Sequence, residues 1–170
     1  MELKFNQEFK SRKDISSILG GDTIKGITRS RKINAILLFT NEEEIYADYF
    51  YPSGTYTYCL YTGIGRNGHQ DSVSNNMYDL NMHVLTHKSN HKKLLLFEKR
   101  KSSYFFIGEY ILTETHQNTQ PDENNKLRRV FVFHLKKLRD KFIFSWRIAH
   151  VFKIQKNTMP IYFGAYFLTC

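Results

Sequence analysis

The sequence predicts an α+β domain, a curved β-sheet or small barrel with flanking helices. Apolar or aromatic runs of strand length recur at short intervals, few stretches carry a helical period, and 15% of the residues are aromatic. At 170 residues, with 41% hydrophobic and 24% charged, the chain fits one domain and can bury a real core. That composition excludes disorder as the main state. The longest apolar runs, Ile33 to Phe39 and Ile161 to Leu168, are far shorter than the ~18–20 residues a bilayer core demands.

Each element has a local reason. Ser11 to Leu19 reads as a short helix stopped by Gly20-Gly21. Ile33 to Thr40 is a continuous apolar run, therefore a buried strand. Asn41 to Glu44 reads as a charged turn, Ile45 to Tyr51 as an aromatic strand, and Pro52-Ser53-Gly54 as the next turn. Thr55 to Thr62 mixes Thr and Tyr as a half-buried strand does. After loop chemistry from Gly63 to Ser74 the period changes: Met77, Leu80 and Val84 share one face of a helix over Asn75 to Thr86, with Asn75 or Asn76 as cap. Lys93 to Glu98, Tyr104 to Leu112 and Val130 to Leu135 are further strands, and the polar stretch Thr113 to Lys126 between the last two reads as a long exposed loop. Two more strand-like runs, Phe142 to Ile154 and Ile161 to Leu168, end the chain.

Lys and Arg number 25 against 16 Asp and Glu, a formal charge of +9. That balance favours polyanions, nucleic acid first and anionic membrane second, with plain solubility as the unspecific alternative. The N-terminal MELKFNQEFKSRKD lacks the apolar core of a signal peptide, and the two cysteines, Cys59 and Cys170, suit a reducing compartment. A cytoplasmic location is expected.

Familiar chemical motifs fail on context. Gly63-Ile64-Gly65-Arg66-Asn67-Gly68 spells G-x-G-x-x-G, but no helix pattern opens there as a dinucleotide site requires. The glycines fit a sharply turning loop or a close approach to phosphate. His83, His87 and His91 lie at helical spacing without a Cys or Glu partner, which reads as a solvated basic flank. Pro121-Asp122 lacks the following (D/E)-x-K strand of a metal-dependent nuclease, so no catalytic residue and no metal is assigned.

The informative stretch is YADYFYPSGTYTYCLYTG, Tyr46 to Gly63. Its tyrosines are either sheet aromatics filling a core or platforms for nucleobases, each stacked ring contributing ~1–3 kcal/mol. Asp48 suits the second reading. A buried acid needs hydrogen-bond donors, and the exocyclic amine of an extruded cytosine supplies one.

Taken together, several segments resemble the SRA (SET- and RING-associated) domain, above all the versions in bacterial modification-dependent, type IV restriction endonucleases with an HNH nuclease. They are Leu19-Gly20-Gly21, Gly26-Ile27, Ile36 to Thr40, Tyr61 to Gly65, Gly68-His69-Gln70, Asn76-Met77, Leu80-Asn81, Leu94 to Glu98 and Ile107 to Tyr110. The resemblance spans roughly Leu19 to Leu138. It implies a PUA-like, SRA-like curved β-barrel with flanking helices over residues 1–138; residues 139–170, beyond the resemblance, are expected to form a C-terminal extension that packs on the domain or leads to a linker. It also implies binding of double-stranded DNA carrying 5-methylcytosine or 5-hydroxymethylcytosine by base flipping. Tyr61 matches the stacking tyrosine and Thr62 its neighbour in the pocket; Tyr46 and Asp48 correspond to the upstream Tyr and Asp, with Tyr49 as the alternative to Tyr46. Gly63, Gly65, Arg66, Asn67 and Gln70 belong to a loop expected on the DNA backbone or in the gap left by the base. His69 replaces the acid frequent in that loop, and Phe106 to Glu109 replaces a Tyr-Asp-Gly motif.

The expected partners are modified DNA and a nuclease in cis or in trans, in a bacterial or phage setting. No cofactor is expected, Mg²⁺ entering only with an attached nuclease domain. The competing expectations are a self-sufficient endonuclease with an unrecognised metal site and an RNA-binding PUA-like module.

Overall fold

The computed structural model describes residues 1–40 and 46–144. In chain order the elements are β1 (Glu2–Lys4), β2 (Glu8–Phe9), α1 (Arg12–Leu19), β3 (Ile27–Ser30), β4 (Ala35–Thr40), β5 (Tyr49–Tyr51), β6 (Tyr58–Thr62), α2 (Tyr78–Leu85), β7 (Lys93–Arg100), β8 (Ser103–Pro121), β9 (Leu127–Arg139) and β10 (Lys141–Ile143). The main sheet runs β3-β4-β7-β8-β9-β6-β5, with β2 paired to β8, while β1 and β10 form a separate ribbon. This is the expected α+β class. The sheet stays open, because its end strands β3 and β5 do not pair among the described residues.

The continuous apolar runs are explained by the one parallel pair among the described residues. β4 and β7 run parallel from Ala35↔Lys93 to Thr40↔Glu98 at the centre of the fold, and parallel strands are covered on both faces. Ile36, Leu38, Leu94 and Leu96 join a cluster with Val84 of α2. The alternate residues Leu37, Phe39, Leu95 and Phe97 join another with Ile15 and Leu19 of α1. Alternation therefore divides the core between two helices rather than between core and water.

Both helices begin and end for local reasons. Ser11 Oγ accepts the Asp14 N–H at 3.2 Å, and Gly20, at φ +80°, donates its N–H to Ser16 O. In α2 the expected cap moves: Met77 is the N-cap residue without a side-chain bond, and Asn75 instead ties the preceding turn, its Oδ1 accepting the Met77 N–H at 2.9 Å. Met77, Leu80 and Val84 pack on the core as their spacing predicts.

Residues 113–126 correct the sequence reading. They are not a loop: β8 continues to Pro121 and β9 begins at Leu127, paired from Glu114↔His134 to Pro121↔Leu127. The apolar pattern vanishes because most of this part of β8 is open to solvent, yet the backbone ladder continues. Only the turn at the tip is irregular, and there Asp122 Oδ1 accepts the N–H groups of Asn124 and Lys126. The strand expected over Ile45 to Tyr51 shortens to β5 among the described residues, with 46–48 outside the strand.

Of the expected extension 139–170, residues up to Phe144 are described. β10 pairs with β1, Leu3↔Phe142 being central, and the Met1 ammonium donates to Phe144 O at 2.9 Å. The remainder, with the runs to Ile154 and from Ile161, lies outside the described residues, as do the expected turn over 41–44 and residue 45.

Gly108 sits on β8 where the β7–β8 and β8–β9 registers shift. Its φ is +149°, and a Cβ there would lie 2.5 Å from Arg139 O and 2.7 Å from Lys137 Cε. Gly108→Ala is expected to lower the free energy of urea unfolding by about 3 kcal/mol, through overpacking and backbone strain.

Candidate functional site

The β5–β6 ladder ends at Tyr49↔Leu60. Beyond it a side chain takes over from the backbone: Asp48 Oδ1 accepts the Thr62 N–H at 2.7 Å. This bond holds Asp48 against the end of β6, in a cavity of about 700 Å³, within the ~300–1,000 Å³ usual for small-ligand sites. Tyr46, Phe39, Tyr61, Thr62 and Tyr104 share its wall. Burial pushes the Asp48 carboxyl up to about 7, against the opposing pull of the Thr62 N–H and hydroxyl. The same enclosure pushes the Tyr61 and Cys59 hydroxyl and thiol well above their ordinary values, with the nearby Asp48 adding to both.

Tyr46, Asp48, Tyr61 and Thr62 thus meet in one hollow, but not as equals. Tyr61 is only 1% exposed. Its hydroxyl donates toward the carbonyls of Gly26 (2.9 Å) and Phe39 (3.3 Å), tying β6 across the cavity wall to β4. A ring packed this closely has no open face for stacking. Tyr46 and Tyr104 are half-buried and keep accessible ring surface on the same cavity. Tyr49 does not line the cavity; it is half-exposed on edge strand β5, its ring 6.0 Å from that of Tyr51. It cannot take the place of Tyr46, because strand alternation puts it opposite the core-facing Phe50.

The glycine loop divides as well. Gln70 is fully buried, so the expected DNA contact is a brace: Nε2 donates to Gly63 O at 2.6 Å and Oε1 accepts the Phe131 N–H at 2.9 Å. Asn81 of α2 closes the other side, accepting the Ile64 N–H and donating to Ile64 O. Gly63 is required by that close approach, since a Cβ would lie 2.6 Å from Gln70 Oε1. Gly63 is consequently inside the brace rather than at DNA. Gly65, Arg66 and Asn67 do line the cavity, where Arg66 and Asn67 reach Glu123 of the β8–β9 turn.

Sequence reasoning missed Arg12. Its guanidinium carbon lies 3.3 Å from the Phe39 ring centroid, and Nη2 donates to Asp22 O (2.9 Å) and Lys25 O (2.8 Å). Burial pulls its pKa down. No local signal marks it, because only the docking of α1 brings residue 12 beside β4. His87 is likewise not on a solvated flank: it is buried, Nε2 accepting the Leu112 N–H, so Nδ1 donates to Lys92 O.

The sequence profile of the ScoMcrA-like SRA domain matches residues 5–159. The chain belongs to that SRA domain family. Solved structures agree in fold at identities of 22% or below. ScoMcrA, a type IV phosphorothioation-dependent restriction endonuclease, superposes with TM-score 0.62 at 22% identity, over 79% of this chain and 28% of that one. This chain therefore spans little more than a quarter of the ScoMcrA chain. The SUVH5 SRA domain in complex with hemi-methylated CG DNA gives 0.60 at 18% identity, over 85% and 94% of the two chains. The DNA modification-dependent restriction endonuclease AspBHI gives 0.62 at 13%, over 84% and 79%. No curated protein matches the chain.

Asp48 makes the stability of this SRA domain depend on pH in a stated direction. Its folded pKa of about 7 lies above the ordinary 3.8, so between those values the folded state holds a proton that the unfolded chain has lost. The Asp48 contribution to stability therefore falls as pH rises from about 4 to 7. Asp48→Asn is expected to gain on the wild type across that window, by up to about 4 kcal/mol at pH 8, in paired urea unfolding curves at pH 5 and pH 8.

Proposed function

We propose that this SRA domain binds duplex DNA and holds a modified cytosine, 5-methyl or 5-hydroxymethyl, flipped out of the helix into the Asp48 cavity. The observation that carries the reading is the half-buried carboxyl of Asp48, its pKa raised, facing a hollow walled by aromatic rings. An acid kept there at a raised pKa calls for a donor. The N4 amine of cytosine is one, while thymine presents an acceptor at the equivalent position. The half-buried rings of Tyr46 and Tyr104 offer stacking of ~1–3 kcal/mol per base, set against a flipping cost of a few kcal/mol. Lys25, Arg66 and Lys99 on the same cavity, within a chain of net charge +9, supply attraction to the phosphates. One methyl group in such a pocket adds ~1–3 kcal/mol of discrimination.

The relatives support a modified-DNA ligand. SUVH5 SRA structures hold methylated and hydroxymethylated CG DNA, and the sulfur-binding and SRA domains of ScoMcrA were solved with phosphorothioated DNA. In this proposal the domain marks modified foreign DNA in the cytoplasm, a nuclease in cis or in trans cuts it, and the reader itself uses no cofactor.

Gel shifts with matched duplexes carrying cytosine, 5-methylcytosine or 5-hydroxymethylcytosine test the reading. Asp48→Asn turns an amide N–H toward the N4 amine and is expected to weaken the modified duplex by about 10- to 100-fold, the worth of a hydrogen bond to a charged group. Tyr46→Ala is expected to act in the same direction, and the plain duplex to change little with either. Uniform loss across all duplexes sinks the pocket assignment. Because the amine binds the ionised acid, wild-type affinity for the modified duplex is expected to rise from pH 6 to pH 8, by up to about tenfold per unit below 7, and the Asp48→Asn protein to lose that slope.

A further inference from the structure

Phe39 and Thr40 of β4 and Lys99 of β7 line the Asp48 cavity. The same two strands start at Ala35 and Lys93, roughly 17–20 Å away by strand rise. At that far end the β3–β4 turn (residues 31–34) meets the segment between α2 and β7 (residues 86–92). Asn34 Nδ2 donates to His91 O at 3.2 Å, and the Lys93 N–H donates to Asn34 O at 3.3 Å. With β3 these segments carry Arg29, Arg31, Lys88, His91 and Lys92, all exposed except the half-buried Lys92. The segment 86–92 is braced from within. Buried His87 donates from Nδ1 to Lys92 O, Ser89 Oγ donates to Thr86 O, and Asn90 Nδ2 donates to Thr86 Oγ1.

The charges there are concentrated and poorly offset. Burial pulls the His83 pKa down, and Arg29 and Lys92 add to that against the opposing Asp79. Lys93 has an acid, its Nζ lying 2.9 Å from Glu109 Oε1. No ion pair among the described residues reaches Arg29, Arg31, Lys88 or Lys92. Like charges fixed side by side repel one another, and a polyanion relieves that repulsion. Lys and Arg with Ser and Asn beside them are the side chains that duplex phosphates take. None of the exposed large apolar residues among the described ones belongs to this surface. It therefore offers neither the ring platforms that suit a single strand nor the apolar anchor that suits a lipid surface.

We propose that this end of the domain is a second DNA site, holding the phosphate backbone of another duplex segment while the cavity end faces the modified one. The two sites lie at opposite ends of the same strands, so a duplex at the cavity mouth leaves the cationic end open. The assignment needs only charge and polar donors, and stands whether or not a base is flipped into the cavity.

A bridging assay tests it. Beads carrying a 5-methylcytosine duplex are saturated with protein, washed, and offered a fluorescent unmodified duplex at about 50 mM salt. The wild type is expected to retain the second duplex. The triple substitution Arg29→Gln, Arg31→Gln, Lys88→Gln is expected to load onto the beads within about twofold of wild type but to retain at least about tenfold less second duplex. Its slope of log affinity against log salt for that duplex is expected to be smaller by about 3. Lys88→Glu alone acts in the same direction and by less, whereas Arg29→Lys, Arg31→Lys, Lys88→Arg together keep the charge and the second duplex. All three side chains are exposed, so the thermal midpoint, measured in parallel, is not expected to fall. Vesicles of phosphatidylserine and phosphatidylcholine are offered in the same format, and their retention in preference to duplex overturns the assignment to DNA. A wild type that holds no second duplex, a triple variant that holds it equally well, or one that fails to load also overturns the second site. Failure of the cavity reading shows separately, as equal loading on modified and plain beads, and leaves the second-duplex measurement intact.

Discussion

The hydrogen bond from the Thr62 backbone to the Asp48 carboxylate organises the functional end of this SRA domain. Where the β5–β6 ladder stops, a side chain replaces the missing strand, so an acid is fixed in a place where strand geometry would otherwise have put a neutral carbonyl. The bond is strong enough to hold the carboxylate in place. It is too weak to cancel the burial that raises its pKa. A polar group held in that imbalance is stabilised by an incoming donor, and this links the architecture of the site to the selectivity proposed for it.

The rest of the fold serves to keep that hollow open and walled. The parallel β4–β7 pair makes a core covered on both faces. From β4, Phe39 supplies a ring to the cavity and accepts the Tyr61 hydroxyl at its carbonyl. From α2, Asn81 fixes the chain as it leaves β6, and Gln70 fills the space that Gly63 leaves by having no side chain. The β8–β9 arm then brings Glu123 of its turn to Arg66 and Asn67 at the rim. Polar bonds to backbone, rather than apolar packing, define the edges of the pocket, which suits a site that must keep its shape when empty.

Much of this was legible in the residues. The runs Ile33 to Thr40 and Lys93 to Glu98 announced buried strands, and Ser11 with Gly20 bracketed α1. Asp48 stood out because an acid amid aromatics demands a donor. What misled was polarity read as loop: Thr113 to Pro121 is the solvated part of a longer strand, and a hydrogen-bonded ladder leaves no trace in an apolar pattern. Gln70 was misplaced for the opposite reason. A polar side chain beside glycines suggested a surface contact, but its bonds to Gly63 and Phe131 satisfy it in the interior.

The sequence by itself determined the β-rich class with its two helices, the basic character and the residue types of the pocket, because these follow from periodicity, charge and the cost of burying an acid. Only the tertiary structure decided which of those residues share the hollow. It set Tyr61 into the wall and Tyr49 outside, turned Gln70 inward, and brought Arg12, Phe39 and Tyr104 to one mouth from three separate parts of the chain. Such convergence depends on strand order and helix docking, and contacts between distant residues have no signature in local spacing.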